Sequence, residues 1–518
     1  MTPVPNLGRR AFLAGTTGIA AASLIGCAGN EPTSTPDSGG AGGSIEQFTA
    51  AFQGNGASEG LDPGIHTAFI DEARMRALYD YLFELDDTLT PVPRLAESAE
   101  ANETGDVWRV RLRDARWHDG TKLTSADVLY TISRVLGPVE TKAFAAGAAM
   151  QIVDLPNCRE VDDQTVELAL KTPNFEFPTQ LGVYGMRIIK NGTVDFTTKP
   201  VGTGPFVFES FTAGTEMSAT AYADYWDGAP LVQRLTILSS DRDARVNAIQ
   251  SGQVDYVDDL TAAGATQLEA VKGISVRRIP NCQIYSFIMK TFRSPFDDPV
   301  VREALFTAFD REELVRVALE GDGQVGNDLF GPGFRYYAGD IPQRVFDPDA
   351  SRAALARAGR DELAFSLFTA PAASGFPEAA ALVVDQAARG GIRIQLDQGA
   401  KDTYYSEVKE RGDITMSRSG PMPLPNHFAM RLKADAPQNY GKWQDREFND
   451  LYSKALATKD DDARTKVYHD MQRIMHERGN WIVYGTAPLR NAVSEKYRLA
   501  PAPTNTTGYA RFDKVQLA

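Results

Sequence analysis

The sequence predicts an α/β protein built as two or three lobes. Strand-type and helix-type periodicities alternate along the chain, the pattern of helices packed on a sheet. About 490 residues follow an N-terminal leader, more than one hydrophobic core holds. Several helices carry clear start and stop signals, and no internal repeat interrupts the pattern.

The leader comes first. Arg9-Arg10-Ala11-Phe12-Leu13 is a twin-arginine signature, followed by an apolar run, Ala14 to Ile25, that suits a signal h-region and is too short to span a bilayer. The run ends at Leu24-Ile25-Gly26-Cys27, which resembles a lipobox with Cys27 as the acylated first residue of the mature chain. Export by the twin-arginine or the general route would give the same product. Residues 1–26 are therefore read as signal peptide and 27–44, rich in Gly, Pro, Ser and Thr, as a flexible tether. The expectation is a body anchored by lipid to the extracytoplasmic face of a cell membrane, on its periplasmic or cell-wall side.

Losing Arg9 and Arg10 moves the formal charge from −14 to −16, with 52 basic residues against 68 acidic ones. That balance argues against nucleic acid and against a basic membrane-binding face. Cys158 and Cys282 either pair in an oxidising compartment or stay as buried free thiols, and we adopt the free pair. Five histidines and no C-x-x-C leave little for a metal, so no metal and no cofactor are expected.

Within the body, Phe48 to Gln53 reads as a strand, and a helical pattern begins at about Thr67. Val107-Trp108-Arg109-Val110-Arg111-Leu112 and Thr165 to Leu170 alternate as half-exposed strands. Asp119-Gly120 makes a tight turn, then Thr124 and Asp127 form a capping box ahead of a stripe of Val128, Leu129, Ile132, Val135 and Leu136. Asp347-Pro348 opens a helix closed by Gly359, and a further helix runs from about Asp461 to Arg478 with Val467, Met471, Ile474 and Met475 inward. Asp413 to Met416 reads as a short buried strand leading into a proline-rich loop, 417–428.

Catalytic patterns are sparse. Gly56-Ala57-Ser58-Glu59-Gly60 matches G-x-S-x-G, but an elbow needs a helix directly after the serine, and Leu61-Asp62-Pro63-Gly64 follows instead. His469 and His476 share one helix face without an acidic or cysteine partner at ligand spacing and read as a solvated face. No Walker A loop, dinucleotide fingerprint or H-E-x-x-H is present. The chain reads as a non-enzyme; the alternative is an extracytoplasmic serine hydrolase using Ser58.

Arg111 to Leu136, RLRDARWHDGTKLTSADVLYTISRVL, closely resembles the signature of family 5 extracellular solute-binding proteins, the dipeptide-, oligopeptide- and nickel-binding subunits of ABC importers. Leu61-Asp62-Pro63, Pro93 to Ser98, Pro200 to Phe206, Tyr225-Trp226-Asp227-Gly228, Gln250 to Asp255, Val301 to Ala304, Asp310-Arg311-Glu312 and Phe346 to Asp349 continue the likeness in order, over residues 45–518. The resemblance implies an α/β, periplasmic-binding-protein-like type II fold: two lobes with a hinge plus an extra third domain (cluster C). It divides the chain into lobe 1 (45–60, 190–280 and 487–518), the extra domain (61–189) and lobe 2 (281–486). It further implies a monomeric receptor that encloses a small-molecule or peptide ligand between its lobes and presents it to ABC permease and ATPase subunits.

In peptide-binding relatives the region matching 413–428 carries a tryptophan and an aspartate that pairs with the peptide's α-ammonium. Aligned on Asp413, Pro425 and Phe428, the tryptophan position falls on Arg418 or Ser419 and the aspartate position near Met422. Arg418 offers a forked donor for carboxylate or phosphate, or else an ion pair with an acid such as Asp413. Met422 is either an adaptable apolar wall or packing beneath the loop. Asn426 and His427 would orient a polar ligand or serve as a cap and a surface residue. Tyr484 aligns near a tyrosine that reaches the cleft in relatives; Tyr184, Tyr404, Tyr405, Tyr440 and Trp443 are further aromatic candidates. The ligand-binding set is thus Arg418, Ser419, Met422, Asn426, His427, Tyr484, Tyr404 and Tyr184. An acidic or neutral ligand is expected to bind better than a free-amine dipeptide.

Overall fold

The computed structural model describes residues 43–518 apart from 55, 66–67, 138–145, 402 and 502–509. The signal peptide, Cys27 and all but the last two residues of the tether lie outside the described residues.

One mixed sheet of eleven strands runs through both lobes. In chain order its principal strands are β1 (Ile45–Gln53), β2 (Ile274–Met289), β3 (Ile414–Ser419) and β4 (Trp481–Ser494). In lobe 1, β1 lies between two parallel partners, Val232–Ser240 and Tyr256–Val257. In lobe 2, Leu363–Thr369 lies between parallel Ile392–Gln398 and β3. The antiparallel pair β2 and β4 joins the halves, because each strand starts in one lobe and ends in the other. Every residue of β4 from Trp481 to Val493 is buried, as expected for a central strand covered on both faces.

Period-two alternation divides the lobe 2 core between the two faces of the sheet. Tyr285, Phe287 and Met289 face one way with Ile482 and Tyr484; Ile284 and Ile288 face the other with Trp481 and Val483. Lobe 1 has its own core around Phe48, Phe52, Leu235 and Tyr256. It also takes in Ile70, Ala73, Met75 and Leu78 of α1 (Phe69–Leu78), so the core of lobe 1 extends past residue 60, where the sequence reading ended it.

A separate antiparallel sheet, Ala96–Ala101, Val107–Leu112, Thr165–Ala169 and Arg159–Asp162, forms the third layer. It packs under α2 (Ser125–Leu136), whose Val128, Ile132 and Val135 meet Trp108, Val110, Val166 and Leu168. Asp127 Oδ2 accepts from the Thr124 amide at 2.8 Å, completing the expected cap. On the outer face of the sheet, Arg109 pairs with Glu167 at 2.7 Å.

Buried polar contacts fix this layer to lobe 1. Asp80 accepts from the Tyr225 hydroxyl (3.0 Å) and the Trp226 indole (2.9 Å), and Arg94 pairs with Asp227 at 3.0 Å. Burial pushes the Asp80 carboxyl up to about 6 against the pull of Arg94. The glycines of Pro200-Val201-Gly202-Thr203-Gly204 have a steric reason. Gly204 donates to Leu78 O at 3.0 Å, and a Cβ on Gly202 would lie 1.7 Å from the same oxygen. His118 clamps the same turn: Nδ1 accepts from the Gly202 amide (3.3 Å) and Nε2–H donates to Gly204 O (2.9 Å). Burial holds its imidazole near pKa 4, hence neutral.

Lobe 2 carries α3 (Phe376–Arg389), α4 (Leu424–Arg431) and α5 (Asp461–Arg478). The last follows the sequence reading at both ends, with Asp460 capping the Ala463 amide at 2.8 Å. His476 on α5 is half-buried against Arg344 and Asn327 rather than on a solvated face, and burial lowers it to about 4. Cys158 and Cys282 are free thiols, and burial pushes Cys282 up to about 12.

Candidate functional site: a cleft between the lobes

The carboxyl ends of parallel strands form both walls of one cavity, the position where α/β sheets hold ligands. Gln53 and Gly54 end β1, and Ala68 and Phe69 open α1, on the lobe 1 side. Leu363–Thr369 leads into the small-residue loop Pro371-Ala372-Ala373-Ser374-Gly375 on the lobe 2 side, and β3 ends beside it with Arg418. The cavity measures about 560 Å³, the size of a pocket for a drug-sized solute. Gly375 has φ +80°, and a Cβ there would meet Ala318 O at 2.2 Å, so the turn into α3 requires glycine.

Three charged groups join Arg418 around this space: Asp259 from lobe 1, Glu378 from the first turn of α3, and Lys401. A smaller cavity of about 30 Å³ continues inward between the lobes. It shares Asp259, Ser374 and Arg418 and adds Gln283, Tyr285 and Arg490. Arg418 reaches both because it lies opposite Tyr285 in the β2–β3 register, on the face that carries Met416 into the core one pleat earlier. Burial raises the Tyr285 phenol, and the Arg418 guanidinium opposes that rise. The Tyr285 hydroxyl donates to Gln283 Oε1 at 2.9 Å.

Arg418 has no carboxylate within ion-pair distance among the described residues. Asp413 does not supply one, because an odd separation along the strand puts the two on opposite faces. Its carboxylate instead accepts from the Ser366 amide at 2.8 Å and lies 3.4 Å from Arg293 Nε. Behind the lobe 1 wall, Asp258 is fully buried. Tyr256 donates to its Oδ1 at 3.2 Å, whereas Oδ2 has no hydrogen-bond partner among the described residues. Burial, reinforced by the Asp259 charge, pushes the Asp258 carboxyl up to about 7 against the pull of Arg245.

The other sequence candidates fall elsewhere. The segment 417–428 is not a loop: β3 continues to Ser419, four residues turn, and α4 begins at Leu424. Pro425 misled the reading, since a proline is tolerated in the first turn of a helix. Ser419 faces away from Arg418, and its buried Oγ has no hydrogen-bond partner among the described residues. Met422 is half-buried with Sδ 3.2 Å from Arg431 Nη1. Asn426 is buried on α4. His427 is fully buried, stacked on Phe330 with centroids 4.6 Å apart, and its Nδ1 lies 2.6 Å from Arg431 Nη1. Burial and then Arg431 lower its pKa far below the usual imidazole range, so it is a neutral core residue and not a surface one.

Tyr404 is fully buried and braces β3, its hydroxyl accepting from Met416 N and donating to Met416 O. Tyr484 is fully buried between Tyr285 and Phe287. Tyr184 is half-buried in the segment between the third layer and lobe 1, Tyr440 is half-buried, Tyr405 is exposed, and Trp443 is core. None of these lines the two cavities above, so Arg418 is the one sequence candidate that does. The sequence reading missed Asp259, Ser374, Glu378 and Lys401. A strand ending in Asp-Asp and a strand running into Pro-Ala-Ala-Ser-Gly were the available signals. Ser58 closes a three-residue turn, and among the described residues no helix follows before Phe69, so none starts directly after the serine as a nucleophile elbow requires.

A sheet shared by two lobes, two crossing strands and a cleft at the carboxyl ends define a type II solute-binding protein. The chain belongs to the bacterial extracellular solute-binding proteins, family 5, whose middle region matches residues 90–439. It is similar to the dipeptide-binding protein of Escherichia coli (strain K12), 24% identical over 493 residues that cover 88% of this chain and 92% of that one. Among solved structures it resembles the ABC transporter substrate-binding protein CtaP from Listeria monocytogenes, at TM-score 0.80 and 20% identity over 92% of this chain and 99% of that one. It also resembles AgaA of A. tumefaciens in complex with agropinic acid, at TM-score 0.77 and 22% identity over 91% and 99%. These relatives are binding proteins.

The Asp258 carboxyl gives a pH test. Its folded pKa of about 7 exceeds the ordinary 3.8, so its contribution to stability is complete below pH 4 and is lost as the pH rises to 7. Asp258→Asn, which does not titrate, gains on the wild type by on the order of a few kcal/mol between pH 4 and pH 8 in urea melts. A difference that stays constant with pH contradicts the assignment.

Proposed function

We propose that this chain is a lipid-anchored solute receptor that hands a small ligand to an ABC importer on the extracytoplasmic face and carries out no chemistry itself. The observation that carries the reading is a 560 Å³ cleft walled by both lobes and holding a guanidinium, Arg418, without a carboxylate partner among the described residues. A ligand that touches both walls stabilises the closed arrangement over the open one, and that difference is what a permease can sense. Cys27 supplies the anchor, and the tether keeps the monomeric body near the transporter and raises its local concentration there.

The ligand is peptide-like in size and acidic or neutral in charge. Arg418 receives a carboxylate or phosphate through its fork. The position matching the relatives' aspartate carries Met422, which packs on Arg431 outside the cleft, so that acid is not supplied from this segment. An acid is the ligand of one structural neighbour, AgaA, in its complex with agropinic acid. The lobes turn about the β2–β4 crossing, with 281–486 moving as lobe 2 and the third layer riding on lobe 1.

A thermal-shift panel of acidic, neutral and free-amine ligands tests the class. Acidic or neutral ligands raise the melting temperature by several degrees, and Arg418→Ala lowers the affinity for acids by about 10- to 100-fold. Strong stabilisation by free-amine dipeptides, unchanged in the variant, contradicts it. For the anchor, Cys27→Ser moves the protein from the membrane fraction to the soluble extracytoplasmic fraction; retention in the membrane contradicts lipidation at Cys27.

A further inference from the structure

The third layer touches both lobes, and the two contacts differ in kind. Toward lobe 1 it is fixed over a broad front by Asp80, Arg94 and the Gly202–Gly204 turn. Toward lobe 2 it makes one compact contact centred on Glu176. That carboxylate is 4% exposed; it accepts from the Tyr336 hydroxyl at 2.6 Å and pairs with Arg464 Nε at 2.8 Å. Arg335 Nη1 stands 3.6 Å away on the other oxygen. Asp461 binds the same three groups from α5, at 2.5 Å to Arg335, 2.6 Å to Arg464 and 2.9 Å to Tyr336.

Two backbone hydrogen bonds flank this cluster. Arg335 N donates to Thr88 O at 3.0 Å, and Phe175 N donates to Leu456 O at 2.8 Å. Leu85 and Leu89 close it with Phe334 in a small apolar cluster. An exposed ion pair, Lys459 with Glu103 at 3.4 Å, lies beside it, and β2 and β4 are the two strands by which the chain enters and leaves lobe 2. The Glu176 contact uses no residue of either strand. Rotation of lobe 2 about the crossing therefore separates this contact unless it lies on the axis.

We propose that the Glu176 cluster is a latch for the cleft, formed when lobe 2 closes against the third layer and broken when it opens. It supplies part of the closing free energy from contacts the ligand does not make. The ligand-free receptor then populates the closed arrangement, and a ligand needs less differential contact to complete closure. On opening, Glu176 leaves Tyr336, Arg464 and Arg335 at once while both arginines keep Asp461, so the contacts to Glu176 break together. Arg464 keeps Asp461 and the Thr458 carbonyl when Glu176 is neutralised, so Glu176→Gln leaves no guanidinium stranded in lobe 2.

The latch rests on the lobe motion of the receptor reading; ligand retention in native mass spectrometry tests that reading without involving Glu176. The mature chain, stripped of ligand by unfolding and refolding, is compared with Glu176→Gln by hydrogen exchange and small-angle X-ray scattering. In the variant, exchange at 85–89, 331–337 and the cleft loop 371–375 rises together by about tenfold or more, and the radius of gyration increases. Exchange in the Val107–Leu112 strand stays as in the wild type. Faster exchange at 85–89 and 331–337 alone, with the cleft loop and the radius unchanged, makes the contact a fixed joint and overturns the proposal, as does no change anywhere. If Glu176→Gln does not yield folded protein, Tyr336→Phe, which removes the hydroxyl shared by Glu176, Asp461 and Arg464 and keeps the ring, decides by the same readouts.

Discussion

β2 and β4 pass from one lobe to the other side by side, and their register slips between Ile279 and Gln283. Asn281, inside that slip, takes φ +54° and is held by Thr486 Oγ1 at 2.9 Å and by its own donation to Pro332 O at 3.2 Å. A bulge at this place bends the ribbon and lets two rigid cores share one sheet. The cleft, the cavity behind it and the third layer's contact with lobe 2 all depend on that joint. Residues on the lobe 2 side of the slip, Gln283 and Tyr285, carry the inner cavity; those beyond it belong to lobe 1.

The electrostatics of the cleft follow from strand ends. A side chain at the last pleat of a strand has left the core but still points along the face that built it, which is how Arg418 follows Met416 out of the lobe 2 core. Asp259 occupies the corresponding place on lobe 1, at φ +48° just after Tyr256–Val257. Opposite charges thus face each other from the two walls. A ligand bridging them would draw the lobes together more strongly than one touching either wall, which couples recognition to closure.

The α/β class, the strands at Val107–Leu112 and Thr165–Ala169, the capped helix after Thr124 and the long helix ending at Gly479 were legible because local patterning sets them: alternation, caps and a glycine stop. The motif Pro200–Phe206 was legible as a mark of the family, but its cause, the close approach of Gly202 to Leu78, is a long-range contact that local pattern does not encode. The site was less legible. Arg418 was found because the likeness to peptide-binding relatives put their tryptophan position on it or on Ser419, whereas His427 and Tyr404 looked like site residues and are core. Whether a polar ring faces solvent, a ligand or a phenylalanine depends on the partner helix or strand. Asp259, Ser374 and Lys401 come from three separate segments, and only the folded sheet brings them together.

The central claim is that this molecule is a receptor whose two walls enclose a solute. Native mass spectrometry of the protein purified without denaturation tests it most directly. The account predicts a retained small molecule, acidic or neutral in charge, that is released on unfolding and is lost or reduced in Arg418→Ala. A protein that carries no ligand and takes up none from a broad solute library, with Arg418 intact, would contradict it.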